Sequence, residues 1–235
     1  SQQSSTPRLP ADHTRYGVLS VGDIQMMRST CAAVFAACAF HPALAEEVRI
    51  TPDMTAKELV LNGERVVIAR EQDPAARLTG EFTKTSRPCP PFCIHEMEAA
   101  PGVETVGEIE LMSFLDEHVS AGTGLLIDSR VPAWFEKGTI PGAVNVPFST
   151  LEPSNPYRDE ILKALGAREA GGGLRFDEAL DILMFCNGPW CDQSPRAIRN
   201  LIDAGYPAEK IRYYRGGMQL WLMLGLTVVE PQSQG

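Results

Sequence analysis

Four of the six cysteines of this 235-residue chain stand in two close pairs, Cys89/Cys93 and Cys186/Cys191. Thiols this close can oxidise to a disulfide, share a metal, or work together on sulfur chemistry. The spacings C-x3-C and C-x4-C differ from the C-x2-C knuckles of zinc sites, so no metal is expected. The C-x-x-C-H signature of covalent haem is missing, and no cofactor is expected. Cys186 has the stronger context. It follows the apolar run Ile182-Leu-Met-Phe185 and opens the loop Asn187-Gly188-Pro189-Trp190-Cys191-Asp192-Gln193. Ser194 and Pro195 follow, a residue suited to cap a helix and one suited to its first turn. A sulfur at the end of a strand, facing loop amides and a helix N-terminus, is stabilised as a thiolate and becomes a nucleophile.

Such a sulfur needs a sheet to stand on. Gly124 to Asp128 reads as a buried parallel strand, apolar throughout and ending in a charge. Thr105-Val106, Ala143 to Val146 and Lys210 to Tyr214 read as further short strands. Helices are expected over Glu108–His118, Tyr157–Leu165, Ser194–Ala204 and Met218–Leu224, with Ile109, Met112, Phe114 and Leu115 on one face of the first. Gly171 to Gly173 reads as a loop. Alternating strands and helices imply an α/β domain, a central parallel sheet covered on both faces in three layers. Asp128 and Arg130 are expected to order the loops around the site. Trp221 is expected in the core, Trp134-Phe135 over the sheet, and Trp190 either at the pocket wall or on the surface.

Before this domain, residues 46–103 read as a small β-rich unit. Glu58 to Leu61 and Arg65 to Ile68 flank Asn62-Gly63, a two-residue hairpin signal. The segment Arg87-Pro-Cys-Pro-Pro-Phe-Cys93 is too proline-rich for a helix. Residues 27–45 resemble a secretory signal: Arg28, an apolar run from Cys31 to Phe40, then Ala43-Leu44-Ala45. The run is too short to span a bilayer. Residues 1–26 are polar and aperiodic, an upstream extension expected to be disordered. The reading is therefore of an exported product, in a bacterial periplasm, with no stable membrane insertion after cleavage. In that oxidising compartment either cysteine pair could become a disulfide. The net charge of −9 argues against nucleic acid as a partner. Oligomeric state is not legible.

Four ordered motifs between residues 104 and 231 resemble the rhodanese-like sulfurtransferase superfamily. They are Leu125-Leu-Ile-Asp-Ser-Arg130; Phe135-Glu-Lys-Gly-Thr-Ile-Pro-Gly-Ala-Val-Asn-Val-Pro147, with Thr139 where the family usually has His; the Cys186 loop; and Tyr214-Arg-Gly-Gly-Met-Gln-Leu-Trp221 to Gly225. The resemblance implies transfer of sulfane sulfur through a persulfide on Cys186, with Asn187 to Cys191 supplying cradle amides. The implied partners are a sulfane-sulfur donor and a thiol acceptor, small molecule or protein. Two departures qualify this. The loop carries no basic residue for an anionic donor such as thiosulfate, and it contains Asp192. It also lacks the Cys-x5-Arg of the related phosphatases, since Asp192 stands at that position. Cys191 is a second departure, a thiol placed to resolve the persulfide. Three functions stay open: sulfurtransferase or persulfide carrier; a catalytically silent binding module with a disulfide-locked loop; and a thiol–disulfide oxidoreductase. Cys89/Cys93 reads either as a local clasp or as a second thiol pair relaying sulfur or electrons.

Overall fold

A computed structural model of the chain describes residues 46–231. The expected signal peptide and upstream extension lie outside the described residues. Among those residues no helix is long and apolar enough to cross a membrane. Five parallel strands form the central sheet: β3 (Glu104–Val106), β4 (Gly124–Asp128), β5 (Ala143–Asn145), β8 (Asp181–Phe185) and β9 (Ile211–Tyr214). Their spatial order is β3-β9-β8-β4-β5, so β8 is the middle strand, bonded to β4 on one side and β9 on the other.

Buried on both faces, β8 is apolar at successive positions and its side chains divide by parity. Leu183 and Phe185 enter one core with Leu126 and Tyr214. That core is covered by helices α1 (Glu108–Phe114) and α5 (Gly217–Met223), which supply Leu111, Met112, Met218 and Trp221. Ile182 and Met184 enter the other, with Ile127, Ile211 and Tyr213. Helices α3 (Arg158–Ala164) and α4 (Gln193–Asp203) cover it, through Leu162, Ala197, Ile198 and Leu201. The result is the expected three-layer α/β domain with a parallel central sheet.

The small β-rich unit is a hairpin of β1 (Ala56–Leu61) and β2 (Glu64–Ala69), antiparallel through Asn62 and Gly63. Both turn residues have positive φ, 52° and 83°, as a primed two-residue turn demands. Leu59, Leu61 and Ile68 belong to the same core as Trp221 and Phe185. The chain end pairs back to this hairpin: the Thr227 amide donates to the Ala69 carbonyl and the Arg70 Nε–H to Leu224.

Three local expectations need correction. The first helix is α-helical only to Phe114 and continues as a π-helical turn over Leu115–Val119, and Ile109 lies off its buried face at 41% exposure. Gly171 to Gly173 is not a plain loop but the turn of a small ribbon, β6 (Arg168–Ala170) with β7 (Gly173–Arg175). Trp134, in the short helix α2 (Pro132–Phe135), joins neither of the two cores that cover the sheet. It packs edge-on to Phe82, 5.6 Å between centroids, with the Lys137 ammonium over its ring.

Candidate active site

Cys186 is the first residue after β8, at the carboxyl end of the middle strand, where ligands bind in open α/β sheets. The backbone around it is held on two sides. The Met218 amide donates to the Cys186 carbonyl at 3.0 Å and the Gln219 amide to the Asn187 carbonyl at 2.8 Å, so the start of α5 pins the loop. Gly217 makes that approach possible. Its φ is +53°, and a Cβ there would lie 2.3 Å from the Cys186 carbonyl oxygen and 2.7 Å from the Gly188 nitrogen. The Cys191 amide then closes a turn onto the Gly188 carbonyl.

Cys186 is 1% exposed, and burial by itself disfavours its anion. Hydrogen bonds from the Cys191 thiol, the Ser194 amide and hydroxyl, and the Gly188 amide outweigh that burial and lower the Cys186 pKa. The opposite holds next door. Burial first, then the hydrogen bond and charge of Cys186, raise the Cys191 pKa well above the ordinary thiol value. Of the pair, Cys186 is therefore the thiol that ionises more readily and Cys191 the one that holds its proton more tightly. Both are free, whereas Cys89 and Cys93 are joined in a disulfide with Cα atoms 4.6 Å apart.

Ser194 corrects a sequence expectation. Asp192 occupies the N-cap of α4, so Ser194 and Pro195 lie inside the first turn. The Ser194 hydroxyl is buried without a partner of ordinary hydrogen-bond geometry, yet it is near enough to the sulfur to favour the anion. The remaining loop residues divide. Asn187 is buried with its Oδ1 unpartnered, and the Oε1 of Gln193 is likewise buried and unpartnered. Asp192 turns outward toward Arg196, 3.8 Å away. Pro189 and Trp190 are half-buried on the outer side of the loop.

Asp128 ends β4, the strand beside β8, and Arg130 lies two residues beyond it. Both are fully buried, and the Arg130 Nε and Nη2 groups donate to the Asp128 carboxylate at 2.6–3.0 Å. Arg130 also donates to the Gly138 carbonyl, and the Thr139 hydroxyl donates to Asp128 at 2.8 Å. Their role is to tie the loop after β4 to the segment before β5. A cavity of about 360 Å³ opens there, walled by Phe82, Arg130, Trp134, Lys137, Met218 and Leu222.

The motif blocks that the sequence aligned therefore converge on one sheet end. The family model described as "Rhodanese-like domain" matches residues 111–224, the stretch that holds Asp128, Arg130, the Cys186 loop and Trp221. The chain carries a rhodanese-like domain. A curated relative, an HTH-type transcriptional regulator of Mycobacterium tuberculosis, is 31% identical over 115 residues. Those residues are 49% of this chain and 42% of that regulator, so the chain spans about two fifths of the length of the relative it matches. Among solved structures, a protein of unknown function from Rhodopseudomonas palustris, titled a possible tyrosine phosphatase, is 21% identical with a TM-score of 0.40. It covers 56% of this chain, and 88% of its own length is matched. A human single-domain sulfurtransferase is 25% identical with a TM-score of 0.35, over 52% of this chain and 96% of its own.

Sequence reasoning missed what lies on the Cys186 loop of the rhodanese-like domain. The His95 amide donates to the Pro189 carbonyl at 3.0 Å. Phe92 meets Trp190 edge-to-face at 5.7 Å, and the Arg87 guanidinium lies 3.9 Å over the Trp190 ring. About a hundred residues separate these partners, and no local spacing encodes the contact. The available cue was compositional: three prolines around a cysteine pair describe a stiff segment shaped to fit something.

Proposed function

We propose that the rhodanese-like domain is a sulfurtransferase or persulfide carrier acting through Cys186. The observation that carries this reading is the donor ring around a lowered-pKa sulfur at the end of β8. The Cys186 thiolate attacks the outer sulfur of a sulfane donor, R–S–S⁻. The donor S–S bond breaks, R–S⁻ leaves, and Cys186 keeps the transferred atom as a persulfide. The Gly188 and Ser194 amides that favour the thiolate are placed to favour the persulfide anion too. An acceptor thiolate then takes the outer sulfur and restores the Cys186 thiolate.

Cys191 offers a second exit. Its thiol, once deprotonated, attacks the Cys186 sulfur, forms a Cys186–Cys191 disulfide and expels hydrosulfide. Two buried free thiols in mutual contact favour this resolving role over a disulfide-locked, silent loop. The same pair supports a thiol–disulfide oxidoreductase as the second reading. The loop's lack of a basic residue and its Asp192 favour a low-molecular-weight or protein persulfide over thiosulfate as donor. Export to an oxidising compartment belongs to this proposal; the signal-like residues 27–45 and the Cys89–Cys93 disulfide support it.

Intact mass after exposure to a sulfane donor tests the reading. A gain of about 32 Da, lost in Cys186→Ser, is expected for a persulfide. A protein that gains no mass with either thiosulfate or an organic persulfide, yet cycles between dithiol and Cys186–Cys191 disulfide, is an oxidoreductase instead.

A further inference from the structure

Cys186, a residue 1% exposed beside Cys191 at 6%, cannot meet a donor without some part of the loop moving away. Pro189-Trp190 and Asp192-Gln193 are the half-buried parts of the loop, and the first of them is clamped. The strap from Arg87 to Glu96 holds it by the His95 amide, by the Phe92 ring and by the Arg87 guanidinium. The strap is in turn tied to the domain. Arg215, just after β9, donates to the His95 carbonyl at 2.6 Å and to Glu96 at 3.1 Å.

What shapes the strap is its disulfide. Pro88, Pro90 and Pro91 have no N–H to donate. The Phe92 amide donates to the carbonyl of Pro88, the residue just before the Cys89–Cys93 ring. The cross-link therefore fixes where Phe92 and Arg87 stand relative to Trp190. Its position is also accessible: Cys89 and its neighbouring prolines are exposed and Cys93 is half-buried, while the reaction-centre thiols are sealed. Reductant thus reaches the strap before it reaches Cys186.

We infer that the Cys89–Cys93 disulfide is a redox latch: oxidised, it holds the strap on Trp190 and keeps Cys186 closed; reduced, it releases the loop and admits the sulfur donor. The reducing partner is a dithiol. Two electrons pass from the dithiol to the Cys89–Cys93 bond, its two protons go to the new thiols, and the dithiol leaves as a disulfide. The inference rests on the sulfur-transfer reading only in naming Cys186 as the sulfur that is gated.

The test is the rate at which iodoacetamide labels Cys186 in the full chain, read by peptide mass. It compares the oxidised protein, the protein reduced by a dithiol and freed of it, and Cys89→Ser/Cys93→Ser. Reduced and double-variant proteins are expected to label about tenfold faster or more, since reactivity follows the open fraction. Phe92→Ala, which keeps the disulfide but removes the aromatic contact, is expected to label fast in either redox state. Melting temperatures report whether each variant is folded; if the double variant is not, the reduced protein and Phe92→Ala decide. Equal labelling of oxidised and reduced protein overturns the latch and makes the disulfide a passive clasp. A persulfide adduct absent in every form, with labelling still redox-dependent, sinks the transferase reading and leaves the latch standing.

Discussion

The Cys186 sulfur lies 3.3 Å from the backbone carbonyl oxygen of Cys191, the one acceptor in a ring otherwise made of donors. As a thiol, Cys186 donates to that oxygen. As a thiolate, it turns to the Cys191 thiol and the Gly188 and Ser194 amides. The two cysteines thus share a loop in which Cys186 ionises more readily than Cys191. Labelling of Cys186 against pH is expected to show a midpoint below the ordinary cysteine value of about 8.5. The sign follows from the lowered pKa: the thiolate is present above the midpoint and reactivity is lost as pH falls through it. Cys191→Ala removes the thiol hydrogen bond that favours the Cys186 anion and is expected to move the midpoint upward.

Ser194 gives a cleaner test of the same balance. Its hydroxyl favours the Cys186 anion but has no other well-formed partner. Ser194→Ala is expected to raise the Cys186 midpoint and slow labelling at neutral pH. Stability in urea is expected to change by less than about 1 kcal/mol, since the variant leaves no paired group orphaned.

Asp128 and Arg130 behave in the opposite way. Their side-chain hydrogen bonds go to each other, Gly138 and Thr139, and both are fully buried. Asp128→Ala leaves a buried guanidinium uncompensated and is expected to cost about 3–5 kcal/mol in urea unfolding. Arg130→Lys is expected to rescue poorly, because a point charge cannot reproduce the forked Nε and Nη2 bonds to Asp128.

Gly217→Ala strikes the loop from behind. The added carbon meets the Cys186 carbonyl and the Gly188 nitrogen, both backbone, at a positive φ. Strain of about 1–3 kcal/mol is expected in stability. Because Gly188 must move, the Cys186 midpoint is expected to rise and persulfide formation to fall with it, measured by mass and by labelling.

Much of the fold was legible from residue order alone. An apolar strand such as Ile182 to Phe185 states its burial on both faces, and its last residue states which end the loop leaves from. Asn62-Gly63 specified the hairpin, because few other residues accept two successive positive φ angles. Local signals failed where a neighbour far along the chain decided. Ser194 was expected to cap α4, but Asp192 takes that place and Ser194 faces the sulfur. The ribbon at Gly171 to Gly173 was read as a loop because its strands are three residues each, too short for a periodic pattern.

The sequence alone determined that a cysteine stands at the mouth of a parallel sheet, and that two thiol pairs accompany it. Those are properties of periodicity and spacing, which the chain carries locally. Only the tertiary structure decided that Cys186 ionises more readily than Cys191, since burial and the direction of the loop and helix amides set that difference. It alone brought Arg87, Phe92 and His95 onto Trp190 and Pro189, a contact made by the folding back of a distant segment and encoded by no spacing between them.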